Sequence, residues 1–197
     1  MKKVIVTGIL LILISVNVFA GPFGIEMGMS LQEVTKICKS EPKLVENDMY
    51  LIEPPKTNDL FEMYLVNIDP NYGVYRIGAV GKDISTTGHG TAVKSAFNDL
   101  VSSIEAIYGK YEKIDDLEYG SIWDEPQDFM MGLLKKERTL IAGWEESTSA
   151  ILPSSINRIR VAALARSKSV GYLLLGYYSP NGDKVEAAKK AKQDSVF

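Results

Sequence analysis

Cysteine is nearly absent from this chain, with Cys38 standing alone among 197 residues. One thiol cannot staple a fold within a single molecule, so stability has to come from packing. Histidine is equally scarce. His89 is the only one, and a lone imidazole does not make the usual zinc motifs. Basic charge is also in deficit, with 22 Lys and Arg against 25 Asp and Glu. A mildly acidic chain argues against nucleic acid, whose affinity rests on phosphate neutralisation by basic groups. No serine sits in a G-x-S-x-G elbow, so the most familiar hydrolase signature is missing too. Nothing in the composition calls for a cofactor.

Long apolar runs are likewise lacking, with one exception at the N-terminus. Lys2 and Lys3 precede an apolar stretch from Val4 to Ile14, and Val18-Phe19-Ala20 follows with small or modest residues where a signal peptidase reads. About a dozen apolar residues fall short of the roughly 20 that cross a bilayer as a permanent helix. Residues 1–20 therefore read as a secretory signal cut between Ala20 and Gly21. The expected product is periplasmic or secreted, soluble, and without stable membrane insertion after cleavage. Loss of the leader removes two lysines and no acid, moving the formal charge of −3 two units further negative.

Residues 21–197 are long enough for one core, and one domain is the expectation. Met29-Ser30-Leu31-Gln32-Glu33-Val34 carries a capping box, with Ser30 as cap and Glu33 reaching back, and Met29 poised to staple onto Val34. Leu31, Val34, Ile37 and Cys38 then fall on one helical face, which makes Cys38 a core position. Pro42 ends that helix by Glu41. Residues 43–53 read as two short strands around Asn47-Asp48. Phe61–Ile68 and Val74–Val80 read as a hairpin across the Asp69–Gly73 turn. Gly81–Gly90 is a polar loop. Val93, Phe97, Leu100, Val101, Ile104 and Ile107 mark a long helix over 91–108, closed by Gly109.

Residues 111–123 fit no single period, with a strand suggested through Tyr119 to Trp123. Pro126 opens a helix running to about Lys136. Arg138–Glu145 reads as a strand, Ser147–Ser155 as a loop, and Ile156–Arg166 with Gly171–Tyr178 as a long hairpin. A polar helix follows from Asp183 to Gln193. Strands joined by tight turns, with helices packed on one side, give an α+β fold built on antiparallel sheet. The helix-then-strands order occurs twice, which suggests halves 21–90 and 91–197.

Gly28-Met29-Ser30-Leu31-Gln32-Glu33-Val34, close behind a secretion signal, resembles the opening of small periplasmic helix-plus-sheet domains. Among these are the BamE-type lipoproteins of the barrel-assembly machinery and the modules of β-lactamase inhibitory protein. The resemblance spans about ten residues, and the lipid-accepting cysteine of the lipoproteins is missing here. It implies an adaptor or inhibitor that binds an envelope or extracellular protein through a sheet and its loops.

Three groups of residues compete for the site. His89, flanked by Gly88 and Gly90, has the right pKa class for general base work, and a hydrolase using it with nearby carboxylates is the alternative reading. Asp115, Asp116, Glu118, Asp124, Glu125 and Asp128 crowd one region, but at no EF-hand spacing. The third group lies on the C-terminal hairpin. Arg158, Arg160 and Arg166 share parity and so share a strand face, while Ile159, Val161, Ala163 and Ala165 take the other. A turn centred on Ser167–Val170 places Tyr177 beside Arg160 on the arginine face. Arginine and tyrosine are frequent anchors of binding surfaces. The expected function is a non-enzymatic protein-binding module using Arg158, Arg160, Arg166 and Tyr177.

Overall fold

The capping box at Ser30 forms as the sequence demands. The Glu33 carboxylate accepts from the Ser30 amide at 2.8 Å, and the Ser30 hydroxyl accepts from the Glu33 amide. In this computed structural model, which describes residues 21–194, these groups open helix α1 (Leu31–Ile37). The leader assigned to residues 1–20 lies outside the described residues. Val34 is fully buried under α1, and Cys38 caps the helix as a half-buried group against the same core.

A four-strand meander follows: β1 (Lys43–Glu46), β2 (Met49–Ile52), β3 (Phe61–Asp69) and β4 (Gly73–Gly81). The polar loop after it contains a two-residue strand, β5 (Ile84–Ser85). Helix α2 (Thr91–Tyr108) comes next and ends at Gly109, whose φ of 80° is the geometry glycine supplies without strain. Then come β6 (Glu112–Leu117), α3 (Phe129–Lys135), β7 (Arg138–Glu145), β8 (Arg158–Ser167), β9 (Val170–Tyr178) and α4 (Pro180–Asp194). The strands form one antiparallel sheet in the order β1-β2-β3-β4-β9-β8-β7-β6, with β5 also pairing to β9.

That order has a simple logic. The first half supplies α1 and the meander β1–β4, the second supplies α2, then β6, α3 and the strands β7–β9, and β4 and β9 pair in the middle from Arg76↔Tyr178 to Val80↔Leu174. The α+β class with antiparallel sheet is therefore the observed architecture. One expectation moves: the strand suggested at Tyr119–Trp123 is instead Glu112–Leu117, an edge strand of almost wholly exposed residues. Charged edge strands discourage pairing with other chains, which is why this one lacks the apolar alternation of a strand.

The core lies between the sheet and helices α1, α2 and α3. Val34, Phe97, Val101, Phe129 and Met130 meet Val66, Ile77, Leu140, Trp144, Ile159, Val161, Leu173 and Leu175 in one cluster that spans both halves. Helix α4 stands apart from it. Val185 is buried but lies outside that cluster, and α4 touches β4 at one end of the opposite sheet face. None of the described helices is long and apolar enough to cross a membrane.

Candidate functional site

The sheet face away from α1–α3 is organised in rows, because antiparallel partners on one face stand side by side. One row runs across six strands as Met63, Val80, Leu174, Ala162, Ile141 and Ile114. All are apolar; Met63 and Ile114 at its ends are 39% and 46% exposed, and the inner four are half-buried. The next row reads Leu51, Leu65, Gly78, Gly176, Arg160, Gly143 and Glu112. Arg160 thus has a glycine on each side, and it is exposed. The third row is Met49, Asn67, Arg76, Tyr178, Arg158 and Glu145.

Tyr177 is not on this face. The pairing Ser167↔Val170 has the expected register at the turn, but a bulge between Ala165 and Ser167 shifts the remaining pairs by one residue. A one-residue shift exchanges the faces of the partner strand. Tyr177 therefore lies opposite Ile159 in the core, 8% exposed, packed edge-on near Tyr108. Burial raises its phenol well above the ordinary tyrosine range. Tyr178 takes the place expected of Tyr177. Its ring carries the Arg158 guanidinium at 4.6 Å and the Arg76 guanidinium at 5.2 Å. It leans over Gly176, where a β-carbon would come within 3.0 Å of the ring.

The three expected arginines divide by role. Arg166 packs over Tyr172 at 4.3 Å, but it is already engaged by Asp83 at 2.6 Å and Glu62 at 3.6 Å. Arg158 and Arg160 have no carboxylate within ion-pair distance among the described residues, and neither does Arg76. Arg76 escaped the sequence reading because it lies on another strand, and only the β4–β9 pairing brings it to Tyr178. A bulge at Tyr75 turns both Tyr75 and Arg76 towards this region.

Above the third row, α4 closes one end of the face and leaves a cleft of about 400 Å³. Its tie to the sheet is a polar network. Lys189 meets Asp48 at 2.9 Å and the Tyr75 hydroxyl at 3.0 Å, Tyr75 donates to Asp48 at 2.7 Å, and Asn67 donates to the same carboxylate. Burial pushes the Asp48 carboxyl up, but the hydrogen bonds from Lys189, Tyr75 and Asn67 outweigh it and hold it below the ordinary aspartate range. Burial likewise disfavours the Lys189 charge, yet Tyr75 and Asp48 hold its pKa above the usual lysine range.

The other two groups are placed elsewhere. His89 is exposed in the loop before α2, where the Gly88 carbonyl accepts from the Met130 amide, and it lines none of the clefts described. Asp115 is committed to Arg138 at 2.7 Å across the β6–β7 edge. Among the described residues no three His, Cys, Asp or Glu side chains gather as a metal site. No family model matches the chain, and no curated protein or solved structure matches it either.

Proposed function

We propose that this protein is an exported, non-enzymatic binding module that docks an acidic protein surface on the open face of its sheet. The observation that carries the reading is the face itself. An uninterrupted apolar row across six strands lies beside Arg160, Arg158 and Arg76, which have no ion-pair partner among the described residues. Apolar side chains give contact area, and uncommitted arginines in an otherwise acidic chain select and steer a partner of opposite charge. The leader and the resemblance to periplasmic helix-plus-sheet domains support an envelope or extracellular partner.

The test is recovery of a partner from the native envelope fraction on immobilised mature protein. The expected partner is acidic, is released by raised salt, and is lost with Arg160→Glu combined with Leu174→Lys at an unchanged thermal transition. Recovery of the same partner by that variant at the same salt would place the binding surface elsewhere.

A further inference from the structure

On the helix side of the sheet, away from the open face, a second cleft of about 370 Å³ opens where four segments meet. Residues 21–27, the last turn of α2, the loop before β8 and the end of β9 each contribute to its lining. Backbone bonds tie these segments in place. The Ile25 amide donates to Pro22 at 3.0 Å, Ile151 to Tyr108 at 2.8 Å, Ile156 to Pro153 at 2.8 Å, and Asn157 to Tyr178 at 3.0 Å. Ile25 and Ile156 are buried anchors. The cleft is thus a pre-formed hollow of a size that small-molecule sites have.

Pro22, Met27, Ile107 and Ile156 make the lining largely apolar. Ile107 continues the apolar stripe of α2, yet it is 62% exposed, whereas Val93, Phe97, Leu100, Val101 and Ile104 of the same stripe are buried. Two phenols interrupt this lining. Tyr177 is 8% exposed, Tyr108 is half-buried, and their rings meet edge-on at 6.4 Å. A buried tyrosine ordinarily satisfies its hydroxyl, as Tyr64 and Tyr75 do within this fold. The hydroxyls of Tyr177 and Tyr108 have no partner among the described residues. Unlike the sealed Ser179 hydroxyl, both keep access to the cleft. Burial raises both phenols above the ordinary tyrosine range, so they stay protonated at neutral pH and offer two donors.

Among the described residues no Lys or Arg lines the cleft. Glu26 does, and in the mature chain the Gly21 amino group borders the same wall, so the two offset in sign. We propose that this cleft binds a small uncharged apolar molecule with a carbonyl oxygen, of the ketone, ester or amide class. The oxygen accepts from Tyr177 and Tyr108, and the apolar body lies against Met27, Ile107 and Ile156. Protein docking on the open face is a separate matter and is not needed for this site.

The probes are acetophenone and ethylbenzene, which share a ring and a two-carbon arm and differ in the carbonyl oxygen. Each is titrated into the full mature chain while NMR follows the methyl groups of Met27, Ile107 and Ile156. Both should shift these signals saturably. Tyr177→Phe should weaken acetophenone by about threefold to tenfold, the worth of one neutral hydrogen bond, and leave ethylbenzene unchanged. The thermal transition should not fall in that variant, because the hydroxyl it removes has no partner in the fold. Ser155→Trp, which places an indole at the exposed mouth, should block both probes. No saturable shift with acetophenone, an equal loss of both probes in Tyr177→Phe, or acetophenone binding that survives unchanged in Tyr177→Phe with Tyr108→Phe would each overturn the proposal.

Discussion

Tyr177 and Tyr178 are neighbours with opposite duties, and the difference rests on one bulged residue. Tyr177→Ala removes a buried ring next to Tyr108 and should cost about 3–5 kcal/mol, as for other large aromatic truncations. Tyr178→Ala loses two cation–π contacts on a half-exposed face and should cost only about 1 kcal/mol. Urea unfolding of both variants checks this, and a larger loss at Tyr178 would mean that the register at the bulge is wrong. Strand parity was legible in the sequence and put Arg158 and Arg160 on one face. The partner strand's parity was not, because nothing in Ala165-Arg166-Ser167 announces a bulge by composition. Ser30, Glu33 and Val34 show the opposite case. A capping box is local chemistry, so the residues that form it are adjacent in sequence and can be read there.

Among the helices, α4 is the long one with least apolar packing. Val185 is its only buried apolar anchor among the described residues, and its closest polar tie is the Lys189–Asp48–Tyr75 network, with weaker contacts of Asp183 to Asn157 and of Lys184 over Tyr72. Asp48 has its pKa lowered in the fold, so its contribution is present above the ordinary aspartate pKa and fades as pH falls through the lowered value. Lys189 has its pKa raised, so its contribution is complete below the ordinary lysine pKa and fades as pH climbs through the raised one. The tie is therefore intact across neutral pH and loosens at both extremes. Amide exchange across residues 180–194, corrected for intrinsic rate, should accelerate in acid before the core amides do. Asp48→Asn should make that segment fast at neutral pH and remove the acid dependence. Unchanged protection in the variant would show that Val185 and the contacts of Asp183 and Lys184 dock the helix without the network. The polar character of α4 was readable from its sequence, but its dock was not, since Asp48, Tyr75 and Lys189 come from three distant segments. The strand β6 was hidden for another reason: Glu112-Lys113-Ile114-Asp115-Asp116 has the composition of a solvated loop, and only its pairing to β7 makes it a strand.

At the scale of the molecule, the twofold order of helix and strands was visible in the sequence, whereas the way the two meanders join was not. Their junction is β4 against β9, and the residues on either side of it feed one core: Val66, Ile77 and Ala79 from the first half with Leu173, Leu175 and Tyr177 from the second. A half on its own would leave β4 or β9 as a long unpaired edge and expose its side of that core. The two halves should therefore unfold as one cooperative unit. Each carries its own reporter. Cys38, half-buried with its thiol pKa raised by burial, reports on the first half, and fully buried Trp144 reports on the second. In a denaturant series, thiol labelling of Cys38 and the red shift of Trp144 fluorescence, measured in a Trp123→Phe background, should trace coincident transitions. Ile77→Ala, at the junction, should lower both midpoints together, with a loss of about 2–5 kcal/mol in unfolding free energy. A Cys38 that becomes reactive while Trp144 stays buried would mean that the first half opens alone, and that the β4–β9 pairing joins two independent folds rather than closing a single one.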